Sequence, residues 1–182
     1  MSRLSRAVSC VAAIVCLTGT PAFANMGESG ASSTEANFVA GREAIEKQDW
    51  EGALGALRKA VAADPGNAGI QGYNLLALAS LQRVPYDEAA KAYQALPEAD
   101  RQAAAPTDAV KAALDAMYAA ADPLIDSWAR FVALSRARNI AAETRDQVLA
   151  GLKSVYTTRF AGDVSGLEPL ITKLQADYTP KP

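Results

Sequence analysis

The sequence contains no histidine, and its only two cysteines, Cys10 and Cys16, lie within the first 24 residues. Zinc, haem and thiol sites depend on these two residue types, and a serine-histidine site requires an imidazole. The chain also lacks a Gly-rich phosphate loop and the carboxylate ladder of a calcium loop. We therefore expect no catalytic residues, no metal and no cofactor, and hence a protein that is not an enzyme.

Strand-forming residues are scarce and do not alternate with polar residues over a useful length. Forty residues are alanine, and Leu, Glu, Gln, Lys and Arg supply much of the remainder. These residue types have the highest intrinsic helix propensities. The composition therefore predicts an all-α fold.

No apolar run reaches the roughly twenty residues that a membrane-spanning helix requires. The longest charge-free run, from Ala7 to Leu17, follows two arginines and precedes the small-residue triplet Ala22-Phe23-Ala24. This pattern is typical of a secretory signal peptide, with cleavage after Ala24. Cys16 follows Val15 rather than the small residue of a lipoprotein signal, which disfavours lipid attachment. We expect residues 1–24 to be removed and the protein to be periplasmic or secreted, without a transmembrane segment.

Acidic residues outnumber basic ones, and the whole chain has a formal net charge of −2. This balance disfavours general binding of nucleic acids. Residues 128–160 nevertheless form a basic stretch. One interpretation is contact with an anionic surface, and the alternative is a solvated face whose last-turn arginines complement the negative end of a helix. The basic side chains are Arg130, Arg136, Arg138, Arg145, Lys153 and Arg159.

Turn and capping signals divide the rest of the chain. Residues 25–33 are polar and rich in Gly and Ser, so we expect a flexible leader. Ser32 and Glu35 have capping-box spacing, and Asp49 can cap a second helix. Asp64-Pro65-Gly66-Asn67 predicts a turn, and Val84-Pro85 predicts a break. These signals predict two helical hairpins in residues 34–100, with helices to about Gln48 and over 50–63, 68–82 and 86–96.

These hairpins resemble tetratricopeptide repeats. Gly41, Ala53, Ala60 and Pro65 fall at that family's small-residue and proline positions, and Tyr73-Asn74-Leu75 and Tyr86-Asp87-Glu88-Ala89 look like its two characteristic stretches. The internal period is near 36 residues. Leu76, the extra residue near Val84-Pro85 and the missing terminal proline depart from the pattern. The resemblance implies tandem antiparallel hairpins stacked as an α-solenoid, with Gly41 and Ala53 at a close helix crossing.

Residues 101–182 show helical periodicity without a recognisable repeat. Thr107 can cap one helix, Asp122-Pro123 predicts the start of the next, and further helices are expected over about 142–160 and after Ser165, which has capping-box spacing with Glu168. Two repeats alone leave open apolar faces. We therefore expect these C-terminal helices to close the stack as a cap.

The resemblance implies a partner-binding groove on the first helix of each hairpin. Core packing is the alternative role for the two aromatic side chains of this set. The family's lysine and arginine clamp is absent, which disfavours capture of a peptide carboxyl terminus. The candidate groove residues are Phe38, Arg42, Ile45, Tyr73, Asn74 and Ala77.

Three functions remain open at this stage. The favoured one is an envelope adaptor that binds a segment of another envelope protein. The second is a cell-wall hydrolase or its accessory subunit, relying on carboxylates. The third is a structural protein that self-associates through alanine-rich helix faces.

Overall fold

A computed structural model describes residues 32–179, and all regular secondary structure in that part of the chain is helical. The all-α prediction is confirmed. The predicted signal peptide and nearly all of the predicted leader lie outside the described residues. The helices are α1 Ser33–Glu46, α2 Trp50–Ala63, α3 Ala68–Ala95, α4 Glu98–Arg101, α5 Asp108–Arg138, α6 Ala142–Arg159 and α7 Leu167–Tyr178.

The first hairpin, α1 and α2, begins each helix with a predicted cap. The Ser32 hydroxyl accepts a hydrogen bond from the Glu35 backbone N–H at 3.3 Å. The Asp49 carboxylate accepts one from the Gly52 N–H at 3.0 Å. These bonds satisfy amides that have no partner within the first turn of a helix. Because Ser32 is the cap and Ser33 is helical, the expected leader ends one residue earlier than predicted.

The predicted turn at 64–67 is also present. α2 ends at Ala63, and the Asn67 side-chain oxygen caps α3 by accepting a hydrogen bond from the Ile70 N–H at 3.2 Å. Asn67 also donates to the Asp64 carboxylate at 3.2 Å. The turn therefore reverses the chain and places the N-terminal half of α3 against α2.

The predicted break at Val84-Pro85 is wrong, because α3 continues through Pro85 as one helix of 28 residues. Proline removes one backbone hydrogen bond from a helix, but it does not remove the packing of the residues that follow. Tyr86, Ala90 and Tyr93 are all buried beyond it. Their burial outweighs the local cost of the proline, so a single long helix replaces the predicted second hairpin.

The predicted helix start at Asp122-Pro123 is wrong for the same reason. α5 runs for 31 residues with Pro123 in its interior. Leu124, just after the proline, has no exposed surface, and Phe131 is 1% exposed. The two turns beyond Pro123 therefore lie at the centre of the core, and their packing holds the helix continuous.

α5 is the central element of the larger core. α3, α6 and α7 all pack against it, and its buried side chains include Leu124, Phe131 and Val132. A smaller core cluster lies between α1, α2 and α3, where Leu57 and Tyr73 meet. α3 thus belongs to both clusters and joins the first hairpin to the C-terminal helices.

The predicted Ser165 cap of the last helix is wrong. α7 begins after Gly166 without a side-chain cap, and the Ser165 N–H instead donates to the Asp163 carboxylate at 2.8 Å. Glu168 forms an ion pair with Arg136 of α5. This contact between α7 and α5 fixes the C-terminal helix against the core.

Within residues 32–179, no helix is both long enough and apolar enough to cross a membrane.

Candidate partner-binding surface

The structure brings α1 and α3 together at two of the predicted groove residues. The rings of Phe38 and Tyr73 meet edge to face, with centroids 5.3 Å apart and an interplanar angle of 75°. This arrangement places the positive edge of one ring against the negative face of the other. The predicted proximity of these two helices is therefore present in the structure.

Arg42, one turn after Phe38, lies over both rings. Its guanidinium carbon is 6.0 Å from the Phe38 centroid and 5.8 Å from that of Tyr73. The ring quadrupoles attract the cation and hold it in place. We call Phe38, Arg42 and Tyr73 the Arg42 cluster.

Charge and burial act in opposite directions on Tyr73. Burial raises the pKa of its hydroxyl, and the nearby Arg42 cation partly offsets that increase. Glu46, one turn beyond Arg42, raises the pKa of Tyr73 slightly. In the described part of the chain, no carboxylate is close enough to Arg42 to form an ion pair.

The prediction of an open groove along α3 is wrong for Ala77 and largely so for Tyr73. Ala77 has no exposed surface and Tyr73 is 8% exposed, because both pack against Ala53 and Leu57 of α2. The face of α3 assigned to the groove is the face that α2 covers. Ile45 of α1 is half-buried in the same cluster.

Asn74 is half-buried, and its side-chain oxygen is enclosed without a hydrogen-bond partner in the described structure. Gln82, two turns further along α3, is in the same situation. A buried carbonyl without a donor costs free energy relative to its hydrated form. Asn74 therefore does not present its oxygen to solvent, contrary to the expectation for a groove residue.

A small apolar cleft lies on the other side of Tyr73, between α3 and the turn that joins α5 to α6. Gly69 and Gly72 leave space on the α3 side, and the wall is almost entirely apolar. A methyl group at residue 72 would lie 3.6 Å from the Phe131 ring, which is ordinary contact distance. We call this the Gly72 cleft, lined by Gly69, Gly72, Tyr73, Leu76, Phe131, Ile140, Ala141 and Thr144.

Sequence reasoning missed the Gly72 cleft because its two walls are about sixty residues apart in the chain. The opposite wall depends on Asn139 and Ala141, which adopt left-handed backbone conformations with φ of 51° and 48° and turn the chain sharply. Neither residue is a glycine, so no local signal announced this turn. The spacing of Gly69 and Gly72 was the only sign in the sequence.

The basic stretch is largely paired with carboxylates. Arg136 bonds Glu168, Arg145 bonds the neighbouring Asp146, and the remaining two pairs are Arg130 with Asp126 and Arg159 with Asp122. Hydrogen bonding to Asp126 raises the pKa of Arg130. This pairing weakens the interpretation of the stretch as an anion-binding surface and leaves Arg138 and Lys153 as its remaining basic side chains.

The same ion pairs account for the two carboxylates on α5 that are one helical turn apart. Asp122 lies in the interior of α5, not at a helix start, and its carboxylate meets Arg159 at 2.7 Å. Asp126 meets Arg130 at 2.8 Å. The described residues contain no cluster of three or more acidic side chains that could hold a metal ion.

Comparison with models of known protein families, with characterised proteins and with solved structures gave no match.

Proposed function

We propose that this chain is a non-enzymatic interaction module of the bacterial envelope, similar to tetratricopeptide repeats in its first hairpin, that binds a segment of another envelope protein. The binding surface is the Arg42 cluster with the adjoining surface of α1 and α3. One observation carries this proposal: a half-buried arginine lies over two aromatic rings without a carboxylate partner in the described chain. Clusters of aromatic residues and arginine are enriched at the energetic centres of protein interfaces.

The packing of the first hairpin supports the repeat-like part of the proposal. A methyl group added at Gly41 would lie 2.5 Å from Leu57 Cγ, so α1 and α2 cross closely at a residue where the family has a small side chain. Ala53 and Ala60 have no exposed surface. α3 then packs on this hairpin as the first helix of a following repeat does, but it continues through Pro85 instead of turning back.

The state of the acidic side chains supports a non-catalytic role. A carboxyl group that acts as a general acid near neutral pH has a raised pKa, which requires burial or a neighbouring negative charge. The side chains of Asp122 and Asp126 are 53% and 52% exposed, and each is paired with an arginine. These surroundings favour the charged form and suit a structural role.

The envelope location in this proposal rests on the signal-peptide pattern of residues 1–24. N-terminal sequencing of exported protein should begin at Asn25. An intact Met1 would contradict the location, and so would a lipid-modified cysteine at the first position.

The binding proposal is tested by crosslinking in intact cells, followed by isolation of the affinity-tagged protein and identification of its partners by mass spectrometry. Arg42→Gln removes the cation from the ring pair while keeping a long polar side chain. Arg58→Gln on α2 is the matched control, because Arg58 is exposed and lies outside the Arg42 cluster. We expect Arg42→Gln to lose a defined partner that Arg58→Gln retains.

Three results would contradict the proposal. Loss of the partner in Arg138→Gln with retention in Arg42→Gln would transfer the binding site to the basic stretch. A mass that increases with protein concentration, with no partner of another sequence, would indicate self-association. Turnover of purified cell-wall polymer by the protein would indicate the hydrolase.

A further inference from the structure

Tyr73 belongs to two features at once, because its ring contributes to the Arg42 cluster and also lines the Gly72 cleft. A cation site and an apolar cleft therefore meet at one side chain. A segment that binds over Tyr73 contacts both of them. The chemistry of each feature then limits which segments fit.

The cation site calls for a negative group. Arg101 and Arg159 also lie over aromatic rings, but Arg101 donates to the Leu96 carbonyl at 3.0 Å and Arg159 donates to Asp122. Arg42 has the ring contacts without a bonded carboxylate in the described chain. Glu46 is the nearest candidate on its own helix, and it forms no ion pair with Arg42. The five N–H donors of a guanidinium match a carboxylate closely.

The cleft calls for the end of an aliphatic side chain. Its wall is almost entirely apolar, and Gly72 leaves space that reaches the Phe131 ring and the Ile140 side chain, 3.6 Å and 4.0 Å from a methyl group at that residue. The free space is small, so it suits a methyl group and not an aromatic ring. Burying one such group contributes about 0.8 kcal/mol, or roughly fourfold in affinity.

We propose that the surface around Tyr73 recognises a peptide segment of another protein that carries both a carboxylate and an aliphatic side chain. Arg42 binds the carboxylate, and the Gly72 cleft receives the aliphatic side chain. This inference rests on the proposed function and adds the chemistry of the partner. Basic segments are disfavoured, because they would place a like charge against Arg42.

Gly72→Ala is the decisive variant because it should move stability and binding in opposite directions. The added methyl group meets no atom closer than 3.6 Å, and alanine is a better helix former than glycine. The melting temperature should therefore stay the same or rise. The same methyl group fills part of the cleft, so peptide affinity should fall about fourfold.

The matched control is Gly55→Ala on α2, where a methyl group meets no atom within 4 Å. It gives the same gain in helix propensity without touching the cleft. Arg42→Gln tests the cation site, where loss of a charge-assisted hydrogen bond should reduce affinity about tenfold. All three variants are made in the full chain.

The probe is a library of random peptides displayed on phage, selected against the wild-type protein, with affinities of the enriched peptides measured by calorimetry. We expect enriched peptides to combine an acidic residue with Val, Leu, Ile or Met at a constant spacing. Arg42→Gln should weaken them about tenfold and Gly72→Ala about fourfold, while Gly55→Ala leaves them unchanged.

The outcomes separate this inference from the proposed function. Enriched peptides that depend on Arg42 but show no aliphatic preference and bind Gly72→Ala normally would overturn the cleft assignment and leave the proposed function standing. Peptides that are basic, or that bind Arg42→Gln as well as wild type, would overturn the cation site. Failure to enrich any peptide would contradict both, because a surface that binds protein segments should select some.

Discussion

Gly41 of α1 lies directly against Leu57 of α2, so closely that a methyl group at residue 41 would be 2.5 Å from Leu57 Cγ. Leu57 has no exposed surface, so its branched centre has little room to move aside. This contact joins the two helices of the first hairpin at their crossing. The hairpin therefore depends on the absence of a side chain at residue 41.

The first prediction is that Gly41→Ala destabilises the protein even though alanine is the better helix former. Overpacking of a well-filled core costs about 1 to 3 kcal/mol, which exceeds the gain of about 1 kcal/mol in helix propensity. Gly55→Ala, in open space on α2, should instead raise stability. Urea unfolding of both variants measures the difference. A gain in both would mean that the helices do not cross at Gly41.

Local signals in the sequence predicted the first hairpin well. The caps at Ser32 and Asp49 and the turn at 64–67 depend on side chains within three residues of the backbone groups they satisfy. Such contacts form wherever the chain starts or stops a helix, whatever packs nearby. The helix over Ala142–Arg159 was also predicted closely, from its apolar stripe.

Features that depend on distant parts of the chain were not predictable in the same way. Pro85 and Pro123 are local helix breakers, yet α5 packs against α3 across both of them and holds each helix continuous. The candidate groove failed at Ala77 for a related reason, since only the placement of α2 shows which face of α3 is covered. Helical periodicity identifies an apolar face without identifying its partner.

The second prediction concerns the contact between α5 and α6 at Asp122 and Arg159. The Asp122 carboxylate is 53% exposed, so Asp122→Asn should cost no more than about 1 kcal/mol. Arg159→Ala should cost more, because the guanidinium carbon also lies 5.0 Å from the Tyr118 ring centroid and 5.1 Å from that of Phe160. Thermal unfolding of the single and double variants gives the coupling energy.

The control for this cycle is Asp115→Asn, an exposed change on the same helix outside the ion pairs of the described residues. It should leave the melting temperature nearly unchanged. Strict additivity of the Asp122 and Arg159 variants would mean that the ion pair contributes nothing to stability.

The third prediction is a loss of stability at alkaline pH. Burial raises the pKa of Tyr86 above its ordinary value of 10.0, although a hydrogen bond with Thr158 partly opposes the shift. Burial also raises the pKa of Tyr73. Because the folded state disfavours ionisation, the unfolded chain loses these protons first as pH rises. The contribution of each tyrosine is complete below about pH 10 and is lost as pH rises through the folded-state pKa.

Melting temperatures measured between neutral pH and about pH 11 test this sign. The wild-type protein should lose stability steeply above about pH 10, and the Tyr73→Phe, Tyr86→Phe double variant should lose less. Tyr86→Phe alone should be about 1 kcal/mol less stable at neutral pH, since it removes the hydroxyl that bonds Thr158. Identical alkaline profiles for wild type and double variant would show that neither phenol is desolvated.

The final prediction tests whether the long helices are continuous in solution. Pro85 and Pro123 are both exposed and both lie inside helices, so each removes a backbone donor without contributing buried surface. Proline costs about 3 kcal/mol relative to alanine within a helix. Because each helix has already adapted to its proline, we expect Pro85→Ala and Pro123→Ala each to raise the free energy of unfolding by about 1 to 3 kcal/mol. Pro65→Ala is the matched control, since Pro65 lies in the turn after α2 and restricts the unfolded chain there. That change should leave stability unchanged or lower it by up to about 1 kcal/mol. If Pro85→Ala instead behaves like Pro65→Ala, then the chain turns at residue 85 as its local sequence predicts, and a second hairpin replaces the C-terminal half of α3.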